Sequence, residues 1–382
     1  MKHYQHLGVY SDLVSAANKQ HTLYPLAQPG RATQQRVREV MGFCNQPEVP
    51  LNVRVDATWE QDGVVGEALS WSVGYGPRTE AWLLKPKNAH GPLPGVLALH
   101  DHGGFKFFGK EKIAAGPNAP AQITREFWAG CYGGRAYANE LARAGFAVLV
   151  HDTFMWGSRK WPLAEMPDNI RAYAAAFVPP DGVDAVAKEA LVYNHVASHH
   201  EHLSAKYCNL MGTSMAGVVC FEDRVAFNYL RSRADVLADR VGCIGLSGGG
   251  NRAAMLTATH DFVAATVIVG LMTTYEGVLD HNVVSHTWML YPYALGRYMD
   301  WPDLAACRAP APLLVQYDTE DELFTLEGMR AAHDRIQSHF ASVGASEAYA
   351  GQFYPGPHKF DLEMQTAAFA WLQEMLAHDG AG

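Results

Sequence analysis

The sequence predicts an α/β fold: a mostly parallel twisted sheet with an antiparallel start, helices on both faces and two long insertions. Three observations carry this. Short continuous apolar runs at 95–99, 147–150, 241–246, 264–269 and 312–316 have the composition of strands buried on both faces. Helical stretches lie between most of them. One is 136–144 and another is 218–230, where Phe221, Val225 and Tyr229 recur every four residues. Ahead of these, strand-like segments at 51–59, 64–73 and 79–84 are joined by the turn signals Gln61-Asp62-Gly63 and Gly74-Tyr75-Gly76-Pro77. Connections that short give antiparallel neighbours.

In chain order, residues 1–50 read as a helical, partly irregular N-terminal extension. It has helical character at 34–41 and is closed by Pro47 and Pro50. Residues 51–382 read as one catalytic domain with insertions at about 153–215 and 271–311. Both insertions far exceed the roughly 2–6 residues of an ordinary βα loop. Insertions on the carboxyl side of parallel strands build pockets or lids. A last strand is expected at 347–354 and a last helix at 361–376.

Composition narrows the function. Of the 382 residues 48% are hydrophobic and 18% charged, as in an ordinary globular protein, and the net charge is −9. A chain this acidic is a poor partner for nucleic acid or an anionic membrane, both of which need a basic face. The first residues lack the apolar core of a secretory signal. The longest nearly uncharged apolar run, 262–272, falls short of the about 20 residues that span a bilayer. Cysteines at 44, 131, 208, 220, 243 and 307 form no CxxC pair. They read as buried free thiols of a cytoplasmic protein. A homo-oligomer is left open.

The chemistry is concentrated at Gly245-Leu246-Ser247-Gly248-Gly249, a G-x-S-x-G pentad with an apolar stretch before it and a helical one after it. On such a strand-to-helix turn a serine is held out of the sheet on a strained backbone. The flanking glycines are needed where a side chain would meet the neighbouring strand or helix. A serine needs a base to take its proton and an acid to orient that base. Asp321 follows the strand 312–316, with Leu323 and Phe324 beyond it opening the next helix's packing; Asp318, nearer the strand end, is the alternative acid. His358 lies on the loop Pro355-Gly356-Pro357-His358-Lys359-Phe360, between the last strand and the last helix, and suits a general base. An oxyanion hole needs backbone N–H groups. Gly248 supplies one, and His102 or Gly103, in the loop His100-Asp101-His102-Gly103-Gly104, supplies the other.

Together these residues resemble the α/β-hydrolase superfamily, and most nearly its bacterial dienelactone-hydrolase-like and acetyl-xylan-esterase-like branch, over roughly residues 50–378. The loop 151–157 also resembles that branch, where it helps line the site. The resemblance implies hydrolysis of a small or medium carboxylic ester through an acyl-enzyme, without a cofactor or metal. A serine at 247, where dienelactone hydrolases carry cysteine, argues against dienelactone as the substrate. Amidase, lactonase or carbon–carbon hydrolase chemistry with the same triad remains open, as does, more remotely, a non-catalytic binding module.

Other groups compete for attention. Gly212-Thr213-Ser214-Met215-Ala216 mimics a second elbow but has no apolar strand before it, so it reads as a helix entry with Ser214 near the N-terminus. His195, His199 and His202 would share one helical face, which reads as a solvated or pocket-lining face rather than a zinc site. Trp156, Trp161, Trp288, Tyr291, Tyr293 and Trp301 read as packing of the insertions, or else as an aromatic wall. Trp156, His286 and Tyr291 are the candidate substrate contacts. Lys106, Lys110, Glu111 and Lys112 read as a solvated charged loop, with Lys110 able to meet an anionic substrate group.

Overall fold

In the computed structural model, which describes residues 3–43 and 47–377, nine strands form one mixed sheet. They are β1 (Leu51–Gln61), β2 (Val64–Ser72), β3 (Thr79–Pro86), β4 (Leu93–Leu99), β5 (Ala147–His151), β6 (Val236–Leu246), β7 (Thr266–Val269), β8 (Leu313–Asp318) and β9 (Tyr349–Tyr354). Their spatial order is β1-β2-β3-β5-β4-β6-β7-β8-β9. β1 to β3 form an antiparallel meander, and β3 joins β5 antiparallel. From β5 through β4 to β9 every pairing is parallel. The antiparallel start and parallel body are those expected.

The buried runs alternate between two cores, as a two-residue side-chain period requires. Leu97, Leu149, Cys243, Ile268 and Val315 face one side. Val96, Val148, Ile244, Val267 and Leu314 face the other. On the first side lie α1 (Arg31–Met41), α4 (Met215–Ser232), α5 (Gly248–Thr259) and α6 (Leu326–Ser342). On the second lie α2 (Tyr137–Arg143) and α7 (Leu362–Ala377). β6 begins earlier than its apolar run because its first half is a half-exposed stretch that pairs with the start of β4 through Leu93 and Val236.

The N-terminal segment packs on this body. Val37 and Met41 of α1 belong to the first core, and the Thr213 hydroxyl donates to the Met41 carbonyl at 3.0 Å. Arg335 of α6 donates to the Pro25 carbonyl at 2.9 Å. The insertion at 153–215 is dominated by α3 (Ala185–Leu210), a 26-residue helix whose N-cap Asp184 accepts from the Ala187 N–H. The insertion at 271–311 has only short helical turns, ending in the helix Trp301–Ala306 with a capping box between Asp300 and Asp303. No described helix is long and apolar enough to cross a membrane. Cys131, half-buried, and Cys208, Cys243 and Cys307, buried, are free thiols; Cys220 is buried too, and Cys44 lies outside the described residues.

Candidate functional site

β6 ends at Leu246 and α5 starts at Gly248, so Ser247 occupies the whole turn between strand and helix. Its backbone stands at φ 57° and ψ −120°. A non-glycine residue in this region costs about 1–3 kcal/mol and persists only where its surroundings hold it. They do here. The Ser247 N–H donates to Val269 of β7 at 2.8 Å, and its carbonyl accepts from Asn251 at 2.9 Å. The glycines are steric necessities. A Cβ on Gly245 would sit 2.4 Å from the Gly249 backbone, and one on Gly249 would sit 2.1 Å from the Leu99 carbonyl oxygen.

Two loops bring the partners to this turn. Asp321 follows β8, and its Oδ2 lies 2.6 Å from His358 Nδ1. Its other oxygen accepts from the Leu323 N–H at 2.8 Å, which fixes the carboxylate plane. Burial works to lower the His358 pKa. The hydrogen bond and charge of Asp321, helped by Asp318 and Asp101, outweigh it and raise the pKa above the ordinary histidine value. Asp318 accepts from the Lys359 N–H at 3.1 Å and so anchors the loop that carries the histidine. Burial pushes its carboxyl up to about 7. A carboxylate oxygen of Asp318, one of Asp321 and a ring nitrogen of His358 lie within 4.8 Å of one another. Of the two acids, Asp321 makes the ring contact.

Ser247 and His358 open onto one cavity of about 200 Å³, also lined by His102, Gly103, Gly248 and Asn251. The expected oxyanion segment touches the elbow: a Cβ on Gly248 would stand 2.5 Å from the His102 backbone nitrogen. The His102 ring is fixed on both sides. Nδ1 accepts from the Gly104 N–H at 3.0 Å, and Nε2 lies 2.7 Å from Glu201.

His286 lines the cavity, stacked on Phe324 at 4.8 Å. The other two expected substrate contacts do not reach it. Trp156 is buried behind the loop that carries His102, its ring 5.3 Å from that of His102 and its indole N–H aimed at the His102 carbonyl. Tyr291 packs against Tyr275 and His286 and is not among the residues that line the cavity. The aromatic wall is therefore not the set of insertion tryptophans. Trp161 packs on His200, Trp288 donates to His202, and the buried Trp301 donates to the Leu290 carbonyl, while Tyr293 is exposed.

The charged loop after β4 is the largest departure from expectation. Lys106 and Lys112 are 1% and 0% exposed, and Lys110 is buried as well. Each has a carboxylate from elsewhere: Lys106 with Glu201 at 2.5 Å, Lys110 with Asp152 at 3.0 Å, Lys112 with Asp101 at 3.3 Å. Lys110 is thus committed inside the protein and faces no substrate. Glu201 joins three segments, since it also accepts from Thr287 Oγ1 and from the Trp288 N–H. Burial works to raise its pKa, but Lys106 and His102 hold it well below the usual carboxylate range. Under the elbow, Arg252 of α5 pairs with Asp223 at 2.7 Å and donates to the His100 carbonyl at 3.0 Å.

Ser214 caps α4, accepting from the Gly217 N–H at 3.0 Å, as expected. His195 and His199 stack on Phe177 and Tyr173. Sequence reasoning passed over Asn251, although it follows Ser247 by one helical turn. It also passed over Glu201 as a structural hub, although it sits within the histidine cluster.

No family model matches the chain. A curated protein of Bacillus subtilis (strain 168), "Putative hydrolase YtaP", is 25% identical over 301 residues, 78% of this chain and 84% of that one. Among solved structures, a "putative acetyl xylan esterase" from Bacteroides fragilis NCTC 9343 superposes with a TM-score of 0.66 at 15% identity, covering 91% of this chain and 82% of that one. A glucuronoyl esterase from Solibacter usitatus does so with a TM-score of 0.60 at 15% identity, covering 90% and 92%. With its strand order and its strained serine between β6 and α5, the chain adopts the α/β-hydrolase fold.

Proposed function

We propose that the protein is a serine hydrolase of small or medium carboxylic esters, acting through Ser247, His358 and Asp321. The observation that carries this is the 2.6 Å contact between His358 and Asp321 beside a cavity that His358 shares with the strained Ser247. His358 takes the hydroxyl proton as Ser247 attacks the ester carbonyl. Asp321 keeps Nδ1 protonated and stabilises the imidazolium that forms. The N–H groups of Gly248 and of His102 or Gly103 hold the oxyanion, each worth roughly 3 kcal/mol of barrier. His358 then protonates the leaving alcohol, and water activated by the same ring releases the acid. The esterase names of the fold neighbours favour an ester over an amide. The free thiols Cys131, Cys208, Cys243 and Cys307 favour a cytoplasmic setting.

A fluorophosphonate probe and a 4-nitrophenyl acetate assay test the proposal together. Wild-type protein is labelled and active, and Ser247→Ala is neither, with an unchanged circular dichroism spectrum. Full activity in Ser247→Ala would overturn it.

A further inference from the structure

The cavity wall holds polar atoms that the fold itself does not use. Asn251 is completely buried on α5, one helical turn after Ser247, and lines the cavity. Neither its Oδ1 nor its Nδ2 has a hydrogen-bond partner among the described residues. Buried side-chain amides are nearly always satisfied, because stripping them of water without compensation is costly. Here both a donor and an acceptor are bare in one side chain.

His286 stands in the same wall with the same feature. Its Nε2 is buried and unpartnered. A neutral imidazole carries one donor and one acceptor nitrogen, so Nε2 can bond a hydroxyl in either sense. Burial, outweighing a bond to the Leu323 backbone and the Asp321 charge, lowers the pKa to about 4, so the ring stays neutral at pH 7.

Leu271, Leu290, Leu323 and Phe324 supply the apolar part of the wall, while the hydroxyls of Ser285 and Thr287, which also line it, are already donated to Asn282 and Glu201. A plain alkyl group would satisfy the four apolar side chains and leave three polar atoms buried without partners. A hydroxyl on a short chain satisfies both sets, since it donates to Asn251 Oδ1 or accepts from Asn251 Nδ2 and bonds His286 Nε2 in the other sense. A cavity of about 200 Å³ admits only a few heavy atoms beyond the ester group.

Resting on the esterase reading, we infer that Asn251 and His286 are specificity residues, and that the part of the ester entering the cavity is a short chain bearing a hydroxyl near the carbonyl. That hydroxyl belongs either to a hydroxy acid or to a polyol alcohol. A site built to bond a hydroxyl discriminates strongly against the analogue lacking it, far more than a hydrophobic pocket discriminates by one methylene.

Two matched pairs test this by kcat/KM. Methyl 3-hydroxybutyrate against methyl butyrate probes the acyl side, and glycerol monoacetate against propyl acetate probes the alcohol side. The wild-type enzyme is expected to prefer the hydroxylated member of one pair by at least about tenfold, and the pair that shows it identifies the side. Asn251→Leu, which keeps the shape, and His286→Phe, which keeps the stack on Phe324, each bring that ratio toward one. Equal rates within both pairs for wild-type protein would overturn the inference and leave the esterase reading standing. So would a preference that survives both substitutions. Absence of Ser247-dependent turnover of any ester, 4-nitrophenyl acetate included, would instead remove the reading beneath it.

Discussion

Two serines in this chain stand in nearly the same local sequence, each between glycine and a helix, and the fold uses them in opposite ways. Ser214 has an extended backbone, φ −128° and ψ 161°, and spends its hydroxyl on the Gly217 N–H of its own helix. Ser247 occupies the same N-cap position of α5 but caps nothing, because φ 57° and ψ −120° swing its side chain away from the helix. The element before each serine makes the difference. Ser214 follows the end of helix α3 and a turn at Gly212, a route that leaves the backbone free to relax. Ser247 is fed by β6 and is still tied to β7 through its own N–H, so the chain must turn within one residue. Backbone strain imposed by the sheet, rather than the pentad itself, is what separates a candidate nucleophile from a cap.

The largest expected effect is the one that would break this contrast outright. Ser247→Ala should lower kcat for a short-chain ester by roughly 10⁴-fold or more. Ser214→Ala should leave kcat within about twofold, since a cap distant from the chemistry acts on stability alone. Comparable losses in both variants would mean that the two serines are not functionally distinct.

Next comes the choice between acids. Asp321→Asn removes the partner of His358 Nδ1 and should lower kcat by about 10³–10⁴-fold, the scale of a wrongly held imidazole. Asp318→Asn keeps an acceptor for the Lys359 N–H and should cost less than about tenfold. The reverse order in kcat would transfer the orienting role to Asp318.

The pH profile sharpens the same point. In the proposed mechanism His358 must be neutral to accept a proton, and its pKa is raised, so kcat/KM should climb with pH through a midpoint above about 6.5. A raised folded-state pKa also means that protonation favours the native state. That stabilisation is complete below the unfolded histidine value and disappears as pH rises through the folded one. Asp321→Asn removes the strongest raising contact, so any residual activity should show its limb at lower pH. A midpoint below 6.5 in wild-type protein would contradict the assigned environment.

How much of this was legible in the sequence depended on the range of the interaction. The elbow and the loops that bring Asp321 to His358 each announce themselves within a few residues, because a strand end, a turn and a helix start are local events. The parallel body was legible for the same reason: strands buried on both faces are apolar without interruption. The loop from Lys106 to Lys112 was misread because charge in a sequence implies water unless a partner is known. Glu201 lies 95 residues from Lys106, and Asp152 lies 42 from Lys110. Trp156 belongs to the loop 151–157, whose resemblance to a site-lining loop of the acetyl-xylan-esterase-like branch points it at the pocket. The fold instead turns it inward, beneath His102 and beside Lys106.

Glu201 shows what that buried lattice does. It holds the His102 ring and Lys106 while gripping the insertion at Thr287 and Trp288. Glu201→Gln leaves the Lys106 charge buried without its counter-ion, a defect of about 3–5 kcal/mol in comparable buried pairs. Released from this anchor, His102 should let the oxyanion loop drift. Accordingly kcat should fall by about 10–100-fold while KM changes little, and the melting temperature should drop. A lower melting temperature with kcat unchanged would confine Glu201 to a purely structural role.

The smallest effect returns to the other serine and is the more discriminating for its size. If Ser214 is only a cap, Ser214→Ala loses one bond to an orphan helix N–H, about 1 kcal/mol. Urea denaturation should show this as a lower midpoint with an unchanged slope. Ser214→Asp supplies a carboxylate acceptor at the positive end of α4, yet it must enter a buried position beside Thr213 and Met41. Capping alone predicts recovery of the lost stability, and burial alone predicts a further loss. Recovery would show that Ser214 matters only through its acceptor oxygen, which is the role Ser247 has been denied by its backbone.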